Sequence, residues 1–263
     1  MTRAPTGLVS QTHSGDVALA DWIERAGDAG FDFVEVYMDG ATEREALDEG
    51  AVAGLAAECG VSLHTHLPFL DVDLGTPRDL VRDASLDELR ACIRTAADLG
   101  AGKAVVHPSS HADPPEWDPD VVVPRILDAV RDLDAYAADR GIELCAENMP
   151  DGYFTVDNLG PLFEETDVSV TFDTGHARAV GLDEHEMAAV LAERGDRVSH
   201  VHVNDARVDA DEHVPTGSGT TDFATALAPL RRGWEGTLSI EVFTFDFDYL
   251  EISKRKLDGT LST

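Results

Sequence analysis

Lysine is nearly missing from this 263-residue chain. It occurs only at Lys103, Lys254 and Lys256, and arginine supplies the rest of the 20 cationic side chains. Against them stand 51 Asp and Glu, for a formal net charge of −31. A DNA-binding domain ordinarily shows clustered Lys and Arg. Here the dense basic spots are Arg231-Arg232 and Lys254-Arg255-Lys256, and both read as outer-helix surface. The acid is spread along the whole chain rather than gathered in a tail. Such self-repulsion burdens a fold at low salt and is screened at molar salt, where the Debye length falls to about 3 Å. The surface therefore reads as that of a cytoplasmic protein of a halophile.

Cysteine is also scarce. Cys59, Cys92 and Cys145 are odd in number and widely spaced, which excludes a disulfide framework and the usual zinc spacings and fits a reducing cytoplasm. No run of about 18 apolar residues is present for a membrane helix, and residues 1–16 lack the apolar stretch of a secretion signal. No Ser/Pro/Gly-rich linker divides the chain. What is abundant is apolar material, 43% of residues, enough for a sizeable core.

Short β-like runs alternate with amphipathic stretches. The runs are residues 8–12, 33–37, 61–66, 104–107, 142–147, 168–173, 198–204 and 238–242. The helical stretches are 17–29, 42–59, 86–99, 119–140, 156–165, 183–194, 222–230 and 247–257. Eight strands each followed by a helix predict a parallel α/β sheet, and at this length a single eight-stranded (β/α)8 TIM barrel spanning residues 1–263. The alternative is an open doubly wound sheet. It usually carries a Gly-rich phosphate turn after its first strand, and residues 9–15 hold no G-x-G-x-x-G.

Side chains alternate faces along a strand. In the seventh run His200, His202 and Asn204 oppose Val201 and Val203. In the eighth, Ser239 and Glu241 oppose Ile240 and Val242. Cys145 and Glu147, Thr171 and Asp173, and His64 and His66 make the same split on other runs, and His107 closes the fourth. His66, His107, Glu147, Asp173, His202 and Glu241 thus sit at C-terminal strand tips, the rim where barrel enzymes place their active sites. Isolated carboxylates inside a barrel are costly, so several together need a counter-charge. Divalent cations supply it, with His and carboxylate together suiting Zn²⁺ or Mn²⁺ and carboxylates also accepting Mg²⁺. His176 follows Asp173 by three residues on the same rim. Asp211 and His213 lie in the long polar segment 205–221.

His64-Thr65-His66-Leu67-Pro68, His107-Pro108-Ser109-Ser110, Glu147-Asn148-Met149-Pro150, Asp173-Thr174-Gly175-His176-Ala177, His202-Val203-Asn204-Asp205, Asp211-Glu212-His213 and Glu241 together resemble the xylose-isomerase-like barrel superfamily. That superfamily holds sugar isomerases and epimerases, inosose dehydratase-like lyases and endonuclease IV-type (AP endonuclease family 2) abasic-site nucleases. The isomerase and epimerase branch implies one Mn²⁺, Mg²⁺ or Co²⁺ on Glu147, Asp173, His202 and Glu241. Glu147 and Glu241 then serve as acid and base, and His176 contacts substrate oxygens. The nuclease branch implies three Zn²⁺ on His66, His107, Glu147, Asp173, His176, His202, Asp211, His213 and Glu241. Ser109, where nucleases usually carry Gly, and the Glu147-Asn148 pair resemble the isomerase-like members.

The leading expectation is a metal-dependent isomerase or epimerase of a small polyhydroxy carbonyl compound, working by proton transfer through an ene-diolate. The alternative is a zinc phosphodiesterase acting at abasic DNA sites. His66, His107 and His176 are expected to bind substrate. Glu35, inward between Phe33 and Tyr37, reads equally as a substrate contact or as a buried structural Glu. Trp117 and Phe69 are placed to cover a sugar face. Arg78, Arg178 and Arg207 are the cations expected near the rim. Partners are a sugar-like small molecule, with nucleic acid disfavoured and no membrane. Self-association into an oligomer is compatible with the sequence.

Overall fold

The computed structural model describes residues 4–10, 17–230 and 233–261. Eight parallel strands close a barrel in chain order. They are β1 (Thr6–Ser10), β2 (Phe33–Tyr37), β3 (Ser62–His66), β4 (Lys103–Val106), β5 (Glu143–Glu147), β6 (Ser169–Asp173), β7 (Val198–Val203) and β8 (Thr237–Ile240). β1 closes the ring on β8 through the pair Gly7 and Ser239. The helices are α1 (Leu19–Asp28), α2 (Glu49–Cys59), α3 (Asp79–Asp98), α4 (Pro119–Ala138), α5 (Gly160–Glu165), α6 (Thr174–Ala179), α7 (Glu184–Arg194), α8 (Phe223–Ala226) and α9 (Asp248–Leu261).

The alternation of faces is what builds the core. Val34, Val36, Leu63, Ala104, Val106, Leu144, Val170, Phe172, Val201, Val203, Leu238 and Ile240 turn outward and are buried against helix residues such as Ile23, Leu89, Ile93, Ile126, Leu133 and Leu191. Each such Leu, Ile or Phe contributes roughly 1.5–3 kcal/mol of transfer free energy. The opposite positions fill the barrel with polar groups, and Glu35, Thr171, His200, His202 and Ser239 are all fully buried.

Helix ends follow local chemistry. Asp183 and Glu186 form a reciprocal capping box at α7, and Asp118 caps α4 ahead of Pro119. The helix expected at 42–59 is two 3-10 turns, Gly40–Thr42 and Arg44–Ala46, followed by α2, because Asp48 caps a new start with its carboxylate on the Ala51 amide. The one expected at 156–165 is likewise a 3-10 turn, Val156–Asn158, and then α5, restarted ahead of Pro161. The stretch 222–230 divides in the same way, into α8 and a 3-10 turn at Ala228–Leu230. α3 begins at Asp79 rather than at residue 86. Leu80 is 87% exposed, which breaks the apolar period in the extra turns. The sequence also gave no signal for α6, a six-residue turn of helix directly after β6.

Three expectations fall on residues outside the described set: the end of the first strand at Gln11 and Thr12, the turn following it, and the surface pair Arg231-Arg232. Among the described residues the three cysteines are free, and no helix is long and apolar enough to cross a membrane.

Candidate active site

Strand order brings the rim residues to one point. Glu147, at the tip of β5, is wholly buried beneath four imidazoles. Its Oε1 lies 2.9 Å from His202 Nδ1 and 3.5 Å from His176 Nδ1. Its Oε2 lies 3.1 Å from His107 Nε2 and 3.4 Å from His66 Nε2. His202 Nδ1 also stands 3.0 Å from Glu241 Oε2 and 3.9 Å from Asp173 Oδ2. His213 Nε2 is 2.8 Å from Asp211 Oδ1, and His176 Nε2 is 3.6 Å from Asp211 Oδ2. All nine ligand-type residues picked out in the sequence are therefore joined in one cluster. Two of them are not strand tips as expected, since His107 and Glu241 lie one residue beyond β4 and β8.

The surroundings fix these side chains. Asp173 caps α6 by accepting the His176 amide at 2.6 Å. Asn148 clamps the Asp173 backbone, accepting from its N–H at 2.8 Å and donating to its carbonyl at 3.2 Å, and Asn204 Nδ2 donates to Asp173 Oδ2 at 2.9 Å. Gly175 makes room for that amide, because a Cβ there would overlap Asn204 Oδ1. The long loop after β7 is gathered by buried Asp205, whose carboxylate accepts the amides of Ala206, Gly217, Gly219 and Thr221. His213, on that loop, has φ of 48°, the left-handed region, and is the single such non-glycine among the described residues.

The electrostatics follow from burial against partners. Burial opposes ionisation of Glu147, but the charge on His202 and the donors around it hold its carboxyl well below the usual range. Glu241, also opposed by burial, is pulled down to about 2 by His202 and His213. Asp173 goes the other way, up to about 6, because burial and the neighbouring Glu147 and Glu241 outweigh His176. Burial disfavours the imidazolium of His213, yet Glu241 and Asp211 raise it to about 9. His202 is likewise raised well above its ordinary value despite burial, by Glu147, Glu241 and Glu35.

Protons on these rings stand in for the positive charge that the carboxylates demand. A divalent cation fits the same place. One donor atom each from Glu147, Asp173, His202 and Glu241 lies within 4.8 Å of the others, and all four residues are buried. Glu147 Oε2 and Glu241 Oε2 are buried and accept no hydrogen bond. Three carboxylates with one imidazole suit a hard or borderline ion. His176, Asp211 and His213 form a second such group, and His66, Glu147 and His202 a third.

A cavity of about 750 Å³ opens above the cluster. His66, His107, His176, Asp211, His213 and Glu241 form its floor, and Tyr37, Phe69, Met149, Tyr153 and Phe243 line its sides. Phe69 stacks on His107 with ring centroids 4.2 Å apart. Trp117 does not reach the cavity and packs on the core instead. Glu35 also lies off the cavity wall. It is wholly buried beneath His202. The expected rim cations are turned elsewhere: Arg178 pairs with Asp209, Arg207 with Glu212, and Arg78 is exposed ahead of α3. No Lys or Arg lines the cavity among the described residues. The sequence reading gave no role to His200, Tyr37, Asn148 or Asn204. The inward position of His200, Tyr37 and Asn204 was the available signal, and Asn148 was marked through its pairing with Glu147.

A family model described as xylose isomerase-like TIM barrel matches residues 23–259. Among curated proteins, an uncharacterised protein of Methanocaldococcus jannaschii is 28% identical over 236 residues, 85% of this chain and 79% of that protein. A probable endonuclease 4 of Mycobacterium marinum is 26% identical over 227 residues, 82% of this chain and 86% of that protein. Among solved structures, a D-tagatose 3-epimerase-like protein superposes with a TM-score of 0.84 at 25% identity, covering 98% of this chain and 97% of its own.

Proposed function

The chain belongs to the xylose isomerase-like TIM barrel family, and on that premise we propose that it is a divalent-metal-dependent epimerase or isomerase of an uncharged polyhydroxy carbonyl compound. The observation that carries this reading is the buried group Glu147, Asp173, His202 and Glu241, with Glu241 opening onto the cavity. A Mn²⁺, Mg²⁺ or Co²⁺ ion held there supplies Lewis-acid polarisation of a carbonyl and its neighbouring hydroxyl.

The protein's own groups do the rest. Glu241, ionised because His202 and His213 hold its carboxyl low, takes the proton from the carbon beside the carbonyl. The substrate passes through an ene-diolate. Glu147 is the partner that returns a proton, which it first takes from the His176 ring 3.5 Å from its Oε1, an imidazole held well above its ordinary value. Glu147 is wholly buried and reached only past His66, His107 and His176, so these three rings contact the substrate hydroxyls. Asp113 and Asp151 on the wall accept hydroxyl hydrogens, while Tyr37 and Phe69 cover an apolar face. A lining without Lys or Arg among the described residues favours a neutral sugar over a phosphate ester. The acidic surface supports work in the cytoplasm at high salt.

The test is incubation of Mn²⁺-loaded protein, at high salt in deuterated water, with a panel of aldoses and ketoses. Deuterium appearing beside the carbonyl, with C3 epimerisation or aldose–ketose conversion, is the expected result. No exchange on any sugar overturns the reading.

A second reading, a zinc phosphodiesterase at abasic DNA, draws on one observation: His176, Asp211 and His213 form a further donor group beside the first. It has the likeness to the mycobacterial protein behind it. The absence of Lys and Arg from the cavity lining, among the described residues, weighs against it, since phosphate contacts dominate DNA affinity. About three zinc per chain, with cleavage of an abasic duplex, would establish it in place of the first.

A further inference from the structure

We propose that Glu35 is a positioning residue: it fixes which ring nitrogen of His202 faces the carboxylate cluster, and so sets how tightly the cluster holds a divalent cation. The proposal rests on reading the cluster as a metal centre.

Glu35 sits on β2, is 0% exposed and lies off the cavity wall, so it has no direct part in substrate binding. Both of its oxygens are engaged. Oε1 lies 3.1 Å from His202 Nε2, and Oε2 lies 2.9 Å from His200 Nε2. An ionised carboxylate only accepts hydrogen bonds. Both imidazoles must therefore carry their hydrogen on Nε2. His200 is held to that form from its other side as well, where the Thr237 hydroxyl stands 2.6 Å from Nδ1 and can donate to it. With Nε2–H of His202 directed at Glu35, its Nδ1, 2.9 Å from Glu147 Oε1 and 3.0 Å from Glu241 Oε2, is the nitrogen left to serve as a donor atom once a cation takes the place of the hydrogen there. Three electron-rich atoms converging on one point suit a cation. A hydrogen on Nδ1 would fill that space instead. A carboxylate behind a ligating imidazole also raises the basicity of the ring, and loss of such a partner typically weakens metal affinity 10–100-fold.

The experiment measures Mn²⁺ affinity by chelator competition, at high salt, for the wild-type chain and for Glu35→Met and Glu35→Gln. The Met variant, which keeps volume and offers no acceptor, is expected to bind Mn²⁺ 10–100-fold more weakly. The Gln variant is expected to fall between, since its one carbonyl oxygen still accepts from His202. A second measurement needs no variant: ¹⁵N-histidine NMR of the wild-type chain loaded with Zn²⁺ is expected to show His202 protonated on Nε2. A Glu35 that only fills space would lower the melting temperature of the Met variant and leave Mn²⁺ affinity unchanged. That result overturns the proposal, as does a hydrogen on Nδ1 of His202 in the Zn²⁺-loaded chain. A wild-type chain that takes up neither ion overturns the metal-centre reading beneath it.

Discussion

His202 Nδ1 stands 3.0 Å from Glu241 Oε2 at the seam of β7 and β8, and that carboxylate oxygen accepts no hydrogen bond. Glu241 is the one member of the four-residue donor group that also lines the cavity. Its charge is thus directed at the place where a substrate would lie.

Replacing Glu241 by Gln keeps the volume and removes the proposed base. Turnover of a sugar that the wild-type chain converts is expected to fall about 10²–10⁴-fold, the usual share of a positioned acid–base group. Exchange of the substrate hydrogen with deuterated solvent is expected to fall with it. Full activity in this variant would place the base elsewhere.

Gly175→Ala is expected to damage the site without touching a charged group. Its new Cβ would overlap Asn204 Oδ1, and Asn204 donates the 2.9 Å bond that fixes Asp173 Oδ2. Overpacking of this kind costs about 1–3 kcal/mol. Calorimetry is expected to show a lowered melting temperature, and a metal titration a weaker site. Unchanged values in both would show that Asn204 yields freely.

At the opposite end of the barrel Lys103 is ion-paired with Glu143, beside Ser169 and Ser199. Burial opposes ionisation of Glu143, but these donors bring its carboxyl down to about 2 from the ordinary 4.5. A carboxyl lowered in the fold stabilises it above the unfolded value, and the gain disappears as pH falls from 4.5 through about 2. Glu143→Gln should therefore be less stable than wild type at pH 7 in denaturant melts, with the gap closing as pH is lowered through that window. The side chain is 41% exposed, so solvent screening keeps the difference to about 1 kcal/mol or less. A gap that widens on acidification would reverse the sign.

The net charge of −31 makes salt a variable of stability. The melting temperature is expected to climb as KCl rises from about 0.1 M to about 2 M, as screening shortens the reach of surface repulsion. A flat curve would mean that the exposed acid is already balanced locally.

The barrel was legible because its signal is repeated: eight β-like runs alternate with amphipathic stretches, and in most of the runs apolar and polar residues take opposite sides. The donor cluster was legible for a related reason. Histidine is not enriched by an acidic composition, so His66, His107, His202 and the others stood out against it. What escaped depends on contacts distant in sequence. Arg178 and Arg207 gave no sign that Asp209 and Glu212 would hold them away from the rim. Glu35 gave no sign of whether substrate or His202 would lie above it, because that depends on how far β7 has advanced where it faces β2 across the barrel. Asn148 and Asn204 stood beside the donor residues in sequence, but that both would hold Asp173 showed only once strand order placed them against it.

Lys103 is sealed at the barrel's lower end and Lys254 is tied to Asp258, which leaves Lys256 as the exposed, unpaired lysine among the described residues. Its ammonium lies against Gly217, on the loop that carries Asp211 and His213. Amine-reactive labelling would therefore favour this side chain and set a dye beside that loop. The protein comes with its own attachment point for an optical reporter, on α9 and against the loop that carries Asp211 and His213.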